Sequence, residues 1–239
     1  NFYGSLYVQD DPAANGMPAL RRIVHGVISH GSQFLDPKES RRPTAYYGLT
    51  SAPGLCLASL KGPRRVGVIG LGAGTLAAYA KPGDRFRFYE LNPLVAKYAN
   101  EHFSYLTQAR KYATVDVKLG DGRLLLESEP PQQFDMLVVD AFSGDSIPVH
   151  LLTREAFRVY RSHLKPRGVV ALHLSNLYLD LLPVAARLAQ DQMWVSVAVL
   201  DSGDAKVGTS PSTWAVIGSR EALAGLPLGG RPVSTPSGP

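Results

Sequence analysis

Between residues 64 and 200, short apolar runs alternate with segments of helical periodicity. The runs are rich in β-branched and aromatic residues, which is typical of strands buried on both faces. Six of them lie at 65–70, 85–90, 115–119, 135–140, 168–173 and 194–199, and a late run follows at 213–218. Helical patterns lie near 75–80, 93–103, 153–163 and 178–191. This alternation predicts an α/β fold with a doubly wound, mostly parallel seven-stranded sheet covered on both faces.

The first 60 residues have a different pattern, which predicts a small N-terminal β-rich domain over 1–60. Strand-like segments at 5–8 and 22–28 stand between turn formers, and a polar loop follows at 36–43. The larger domain is then expected over 61–225. The segment 226–239 is rich in Pro, Gly and Ser, and it predicts a flexible tail.

The composition excludes several classes of protein. Hydrophobic residues make up 45% of the 239 and charged residues 19%, which argues against disorder and fibrous repeats. The formal net charge is +5, but the positive residues are scattered, so no nucleic-acid partner is predicted. The single cysteine, Cys56, cannot form an intramolecular disulfide and is expected to be buried. No run approaches the roughly 18 apolar residues that a membrane-spanning helix needs.

Glycines and a carboxylate follow the first two strands of the larger domain. Gly70, Gly72 and Gly74 form a G-x-G-x-G turn that opens a helix, where glycine lets the backbone pass close to a ligand. This turn alone is a weak signal, because glycine turns after strands are common. The second strand ends at Glu90, twenty residues after Gly70, where a carboxylate can accept hydrogen bonds from a ribose diol. The alternative is a surface glutamate that only ends a strand.

Acidic residues follow the third and fourth strands. Asp121 and Gly122 form a loop in which the carboxylate can accept from an adenine amino group, or can simply cap the next helix. Asp140 ends the fourth strand, and Asp145 follows it around a Ser-Gly turn. Crowded carboxylates cost energy unless they meet a cation or share a proton. Since the carboxyl ends of parallel strands meet at one edge, these features together predict a site for S-adenosylmethionine or a close relative.

The same segments resemble the spermidine synthase (aminopropyltransferase) family. They read VIGLGAG at 68–74, YELN at 89–92, GDG at 120–122 and LVVDAFSGDSIP at 137–148, with HGVISHGSQ at 25–33 and Tyr46-Tyr47 before them. The resemblance covers roughly residues 20–200, and it is specific in combination. The chain looks most like the spermidine synthase-like domains fused behind a multi-spanning membrane region. That likeness implies a Rossmann-like, class I methyltransferase-like sheet on the cytoplasmic side of a membrane, and a homodimer is compatible with it.

The resemblance also implies a reaction and a site. A neutral polyamine nitrogen would attack the carbon beside the sulfonium of decarboxylated S-adenosylmethionine, and methylthioadenosine would leave. The residues implied for the nucleoside, besides the glycine turn, are Gln33, Glu90 and Asp121. Those implied for the amine are Asp140, which would orient and deprotonate it, and Asp145 and Tyr47, which would line its channel.

Three departures from the family pattern affect this prediction. Ala73 stands where the glycine loop usually carries an aspartate, and Asp145 lies one residue further on than the second acid of the usual Asp-x-x-Asp motif. Gly48 follows Tyr47 where an acidic residue usually lies in the polyamine pocket. Each change removes or shifts negative charge that a polycationic substrate favours. The pocket is therefore expected to be less suited to decarboxylated S-adenosylmethionine plus a polyamine, and more tolerant of the carboxylate of intact S-adenosylmethionine.

Several functions stay open at this point. Aminopropyl transfer is the default, and the alternatives are a lyase that cleaves intact S-adenosylmethionine, a methyltransferase, and a non-catalytic ligand-sensing domain of a membrane protein. A dehydrogenase is disfavoured, because the acidic loop after the fourth strand has no role in hydride transfer. His25, His30, His150 and His173 lack metal-ligand spacing, so no metal is predicted. His150 or His173 is instead expected near the acceptor pocket, as a polar wall or auxiliary base.

Overall fold

The computed structural model describes residues 5–26, 28–142, 147–176 and 178–233 of the 239-residue chain. Its strands are β1 (Leu6–Asp11), β2 (Leu20–His25), β3 (Ile28–Phe34), β4 (Arg65–Ile69), β5 (Arg85–Glu90), β6 (Thr114–Leu119), β7 (Phe134–Val139), β8 (Leu164–His173), β9 (Val195–Asp201), β10 (Ser212–Gly218) and β11 (Arg231–Pro232). Its α-helices are α1 (Ala52–Ser59), α2 (Pro93–Glu101), α3 (Tyr105–Ala109), α4 (Gly122–Ser128), α5 (Arg154–His163), α6 (Leu182–Asp191) and α7 (Arg220–Ala224). Short 3-10 helices span Thr75–Tyr79, Val149–Leu151 and Ala205–Val207.

The larger sheet has the strand order β11-β9-β10-β8-β7-β4-β5-β6. Strands β4 to β8 pair in parallel, whereas β10 runs antiparallel to both of its neighbours, β8 and β9. The predicted doubly wound, mostly parallel seven-stranded sheet is confirmed, and the two-residue β11 adds an edge strand beside β9. That edge strand lies within the segment 226–239, of which the structure describes residues 226–233.

Alternating side chains of the central strands enter two apolar cores, one on each face of the sheet. On one face, Val66, Phe88 and Val138 pack with residues of α1, α2, α3 and α7. On the other, Leu137 and Val170 pack with residues of α4, α5 and α6. Burial on both faces explains why these strands are almost continuously apolar in sequence. Because α1 packs into the first core, residues 52–59 of the N-terminal segment are part of the larger hydrophobic core.

Strands β1 to β3 form a separate antiparallel sheet. The apolar pattern predicts one strand over 22–28, and this prediction is wrong, because the chain turns at Gly26, where φ is 62°. The loop after β3 is fastened to the larger sheet: the N–H of Ala45 donates to the carbonyl of Gly208, and the N–H of Ser210 donates to the carbonyl of Ala45. This attachment brings the tyrosines at 46 and 47 to the end of β7 and β8.

A buried ion pair lies at the amino end of the sheet. The guanidinium of Arg64 and the carboxylate of Asp84 are both fully buried and in contact. The remaining Arg64 donors reach the carbonyls of Leu57 and Tyr79 at 2.5 and 2.6 Å, and Asp84 also accepts the backbone N–H groups of Arg64 and Lys81. A buried pair is tolerated when all of its polar atoms have partners, as these do.

In the described part of the chain, none of the helices has both the length and the apolar character needed to cross a bilayer. Cys56 is buried in α1 as predicted, and burial raises the pKa of its thiol to about 12.

Candidate active site

A cavity of about 410 Å³ lies beyond the carboxyl ends of β4, β5, β6 and β7. The edge of a parallel sheet is where ligands bind in folds of this kind. The predicted site residues that line the cavity are Gly70, Gly72, Glu90, Asp121, Gly122 and Asp140. Other polar or aromatic side chains on its wall come from the N-terminal sheet and from loops, and include His25, His30, Tyr46, Asn92, Phe142 and His150.

Two glycines let the loop after β4 pass close to its neighbours. Gly70 has φ of 99°, and a Cβ there would lie 2.2 Å from the carbonyl oxygen of Asp140. Gly72 has φ of 52°, and a Cβ there would lie 2.1 Å from the carbonyl oxygen of His30. Both the backbone conformation and the space therefore require glycine. The loop is thereby held between the end of β7 and the strand β3 of the small sheet.

Glu90 holds the glycine loop from the neighbouring strand. Its Oε2 accepts the backbone N–H of Leu71 at 3.0 Å, and its Oε1 accepts that of Asn92 at 2.7 Å. Burial raises the pKa of Glu90, and the backbone N–H donors oppose part of that rise. Each carboxylate oxygen has a further lone pair. Glu90 can therefore fix the loop and still accept hydrogen bonds from a ribose diol.

Asp121 has two partners. Its Oδ1 accepts the N–H of Leu124 at 3.0 Å and so caps α4, which is the alternative role that the sequence allowed. Its Oδ2 lies 2.9 Å from Nε2 of His150, a side chain that is 48% exposed. Because Oδ1 is occupied by the helix cap, a ligand's amino group would meet Oδ2, the oxygen that contacts His150.

Asp140 lies at the end of β7 with its side chain only 4% exposed. The hydroxyl of Tyr47 donates to Oδ2, and Nδ1 of His173 lies 2.5 Å from Oδ1. Burial, followed by the charge of Asp140, raises the pKa of both Tyr46 and Tyr47 well above the usual value, so both phenols stay protonated. A buried carboxylate in contact with a phenol and an imidazole is suited to meeting a cation.

A cluster of aromatic side chains packs around His173, the imidazole partner of this carboxylate. The His173 ring stacks on Trp214 with 4.4 Å between centroids and 12° between planes. Tyr46 lies 4.4 Å from the same ring and Phe142 lies 4.9 Å from it, edge-on. His173 is thus close to the acceptor end of the cavity, although it is the buried partner of Asp140 and does not line the cavity itself.

Three predicted site residues are not on the cavity wall. The amide of Gln33 donates to the carbonyl of Ser40 and to the hydroxyl of Ser104, and its oxygen accepts the N–H of Ser104. Gly74 packs against Leu106 below the loop. The hydroxyl of Tyr47 contacts Asp140, but Tyr47 does not line the cavity. The neighbouring Tyr46 lines it instead. Asp145 lies outside the described residues.

Three further residues, Tyr46, Asn92 and Phe142, line the cavity, although no role is predicted for them from the sequence. Each lies one or two residues from a predicted site residue in sequence, which is a signal that could have found them. His25 and His30, for which the sequence predicts no role, lie on the wall formed by the small sheet, with their ring centroids 5.7 Å apart. Burial lowers the pKa of His30, although the charge of Asp140 opposes this, so its imidazole favours the neutral form.

Two of the three departures from the family pattern can be placed. Ala73 is 1% exposed, and a Cβ on Gly31 would lie 2.9 Å from its methyl carbon. Gly48 faces the side chain of Thr209, whose Cγ2 would lie 2.8 Å from a Cβ. Within the described ranges, no group of three His, Cys, Asp or Glu side chains is arranged to hold a metal ion.

Similar proteins include several aminopropyltransferases and an N-terminal histidine N-methyltransferase from Emericella nidulans, which is 32% identical over 114 residues covering 46% of this chain and 19% of that protein. The polyamine aminopropyltransferase of Vibrio vulnificus is 32% identical over 154 residues, which cover 61% of this chain and 49% of that protein. The chain spans about half or less of the length of the curated relatives it matches. No family model matches it.

Solved structures agree in fold. A probable spermidine synthase from Corynebacterium glutamicum superposes with a TM-score of 0.64 at 18% identity, covering 90% of this chain and 80% of that one. A spermidine synthase solved with the transition-state analogue AdoDATO gives 0.63 at 14% identity, covering 92% and 75%. The fold and the family resemblance expected from the sequence are both confirmed.

Proposed function

We propose, because the chain is similar in sequence to polyamine aminopropyltransferases and in fold to spermidine synthases, that it transfers an aminopropyl group from decarboxylated S-adenosylmethionine to an amine and releases methylthioadenosine. The observation that supports this most directly is the position of Asp140. Its buried carboxylate, in contact with Tyr47 and His173, lines the same cavity as Glu90 and Asp121. One cavity can therefore take a nucleoside at one end and a cationic amine at the other.

The nucleoside would occupy the part of the cavity next to the glycine loop. The ribose hydroxyls would donate to the Glu90 carboxylate, whose orientation is fixed by the N–H groups of Leu71 and Asn92. The adenine amino group would donate to Oδ2 of Asp121. The absence of side chains at Gly70 and Gly72 would let the sulfonium end pass close to the backbone.

The chemical step is a displacement at carbon. The lone pair of the amine nitrogen forms a bond to the carbon beside the sulfonium, and the carbon–sulfur bond breaks with its electrons staying on sulfur as a neutral thioether. The proton that the nitrogen must lose passes to the carboxylate of Asp140. Because an amine is protonated near pH 7, the same carboxylate first binds the ammonium and then accepts its proton. Most of the rate enhancement would come from holding the two reactants in line.

A second candidate is a reaction of intact S-adenosylmethionine. Three carboxylates of described residues line the cavity, Glu90, Asp121 and Asp140, and each already accepts hydrogen bonds within the protein. Ala73 and Gly48 carry no negative charge that would repel the carboxylate of intact S-adenosylmethionine. The imidazoles of His25 and His30 line the cavity wall. In a lyase reaction, the carboxylate oxygen of the substrate would attack its own carbon beside the sulfonium, form a lactone and release methylthioadenosine.

Product identity separates these functions, including methyl transfer and ligand sensing. Methylthioadenosine that forms only with added putrescine or spermidine means aminopropyl transfer, and methylthioadenosine without an amine means a lyase. S-adenosylhomocysteine means a methyltransferase, and tight binding without any product means a sensor. Calorimetric titration with decarboxylated and with intact S-adenosylmethionine tests the cofactor directly. A clear preference for the decarboxylated form contradicts the proposal for the intact substrate.

The role of Asp140 is tested by Asp140→Asn, which keeps the shape of the side chain and removes its charge and basicity. Loss of methylthioadenosine formation is expected, and unchanged turnover would remove Asp140 from the mechanism. Asp135→Asn is the matched control. Asp135 lies at the other end of β7, where it pairs with Lys165 and takes no part in the cavity, so this variant should keep its activity.

We also propose that the protein is attached to a membrane-spanning region, that this domain lies on the cytoplasmic side, and that it forms a homodimer. They rest on the resemblance to membrane-fused family members. Membrane fractionation of the full-length protein tests the first two, and sedimentation of the purified domain tests the third.

A further inference from the structure

We propose that His173 is a positioning residue for Asp140, and that Ser175 and the backbone of Thr213 fix the imidazole tautomer that this role needs. The inference rests on the proposed function, since it assigns a task to Asp140 in the reaction. It concerns a buried chain of contacts that joins β8 and β10 behind the cavity.

The contacts form a continuous chain. Nδ1 of His173 lies 2.5 Å from Oδ1 of Asp140, and Nε2 lies 2.9 Å from the hydroxyl of Ser175. That hydroxyl oxygen in turn accepts the backbone N–H of Thr213 at 2.8 Å. The Asp140 and His173 side chains are 4% and 3% exposed, so the contact between them is largely shielded from water, and Ser175 beside them is partly buried.

The direction of the hydrogen bonds follows from the carboxylate, which can only accept when ionised, so that Nδ1 of His173 donates to Asp140. Because the Thr213 N–H can only donate, it occupies a lone pair of the Ser175 oxygen and leaves the Ser175 proton free to point elsewhere. Nε2 of His173 has no hydrogen when Nδ1 donates, so it can accept that proton across 2.9 Å. A neutral imidazole that accepts at Nε2 carries its hydrogen at Nδ1. The hydrogen then points at the carboxylate of Asp140.

Packing fixes the plane of the ring. Trp214 stacks on His173 nearly face to face, and its own indole N–H is bonded to the hydroxyl of Ser212 at 3.0 Å. Tyr46 and Phe142 close two further sides of the imidazole. The imidazole therefore cannot rotate away without disturbing a buried aromatic group.

The consequence for Asp140 is that, among the residues the structure describes, each carboxylate oxygen has one protein donor. Oδ1 receives His173, Oδ2 receives Tyr47, and the remaining lone pairs are left for the substrate. Hydrogen bonds to the charged form favour the carboxylate over the acid. The titratable groups that face Asp140 from the elements around it are Tyr46, Tyr47, His30 and His173. Of these, only His173 and Tyr47 donate to it.

Two substitutions at position 173 separate positioning from packing. In His173→Asn the side-chain amide can occupy the place of Nδ1 and keep the donor to Asp140, whereas in His173→Gln it occupies the place of Nε2 and loses that donor. Both variants lose the stack on Trp214, so both should lower the melting temperature. We expect kcat/KM to fall about 10- to 100-fold in His173→Gln and much less in His173→Asn. The acidic limb of the pH profile should move to higher pH in His173→Gln alone.

A measurement without turnover keeps this inference separate from the proposed function. Carboxyl ¹³C NMR of aspartate-labelled protein, assigned with Asp140→Asn, reports the hydrogen bonding of Asp140 in the unliganded enzyme. At one pH near neutrality, the Asp140 carboxyl shift should differ from the wild type in His173→Gln and stay close to the wild type in His173→Asn. The same shift in all three proteins overturns the positioning role, whatever the enzyme turns out to catalyse.

The tautomer is tested by ¹⁵N NMR of histidine-labelled protein. The wild type should show His173 with its hydrogen at Nδ1, and Ser175→Ala should shift the population toward Nε2–H, because the donor to Nε2 is gone. A wild-type signal for Nε2–H contradicts the hydrogen-bond chain. Absence of aminopropyl transfer in the wild type, together with the expected NMR results, would overturn the proposed function and support the positioning of Asp140.

Discussion

The backbone N–H of Leu71 donates to the carboxylate of Glu90 across 3.0 Å. The glycine loop and the acid at the end of the adjacent strand are therefore one unit, and the same carboxylate also holds the chain at Asn92 as it enters α2. An acid that was predicted only as a ligand contact thus also sets the shape of the loop that would surround the ligand.

Glu90→Gln is expected to weaken methylthioadenosine binding about 10- to 100-fold. The amide replaces one acceptor oxygen by a donor, so either a backbone N–H or a ribose hydroxyl loses its partner. Calorimetric titration measures the change. Glu129→Gln is the control, because Glu129 pairs with Arg87 outside the cavity and its substitution should leave the affinity unchanged. Equal affinity for Glu90→Gln and wild type would show that Glu90 does not contact the nucleoside.

The two roles of Asp121 can be separated by two substitutions. Asparagine caps helices about as well as aspartate, so Asp121→Asn should keep the free energy of unfolding within about 0.5 kcal/mol. Asp121→Ala loses the cap on α4 and should cost about 1 kcal/mol. Both variants should bind methylthioadenosine more weakly, because both lose the carboxylate. If only Asp121→Ala weakens binding, the residue acts through the helix and not through the ligand.

Gly72→Ala should be more damaging than an alanine at another glycine with positive φ. The new Cβ would lie 2.1 Å from the carbonyl oxygen of His30, so the loop or β3 has to move. Gly16 has φ of 76° with open space around it, so Gly16→Ala should cost only the backbone strain of about 1–2 kcal/mol. Denaturant unfolding and ligand titration compare the two. Similar losses of stability and affinity would contradict the close approach at Gly72.

Of the ion pairs that the structure describes, Arg64–Asp84 is expected to contribute most to the free energy of unfolding. Asp84→Asn leaves a buried guanidinium without its counter-charge and should cost about 3–5 kcal/mol of the free energy of unfolding. The control is Glu39→Gln, which breaks the half-exposed pair with Arg42 and should cost less than about 1 kcal/mol. Comparable losses for the two substitutions would contradict the burial of the Arg64–Asp84 pair.

The same pair predicts a pH dependence. Burial by itself raises the pKa of Asp84, but the hydrogen bonds from Arg64 and from the backbone of Lys81, with the guanidinium charge, lower it below its usual 3.8. A carboxyl whose pKa is lowered by folding stabilises the protein above the unfolded pKa and ceases to do so as the pH falls through the folded value. The difference in unfolding free energy between wild type and Asp84→Asn should therefore be constant near neutrality and shrink below about pH 4.

The central sheet could be predicted because its strands are buried on both faces. Runs such as 135–140 leave no other place for so many apolar side chains, and the residues that follow such a run must then meet at one edge. That reasoning was sufficient to place Glu90, Asp121 and Asp140 around a common cavity. It depends only on strand direction, and strand direction follows from the helical connections.

The contacts of the N-terminal segment could not be predicted in the same way. Gln33 was expected at the nucleoside and instead joins Ser104 and Ser40, because its position depends on how the small sheet packs on α3. Tyr46 and Tyr47 are adjacent in sequence, and the bridge between Ala45 and Thr209 decides which of them faces the cavity. Such long-range pairings leave no periodic signal in the residues themselves.

The contact between Ala73 and Gly31 has a consequence for how such a site can change over generations. Ala73 is 1% exposed, and a Cβ on Gly31 would lie 2.9 Å from its methyl carbon. A side chain at position 31 would therefore compete for space with the residue at 73. Substitutions at these two positions, far apart in the sequence, are expected to depend on each other, so that the glycine loop and the hairpin would have to change together.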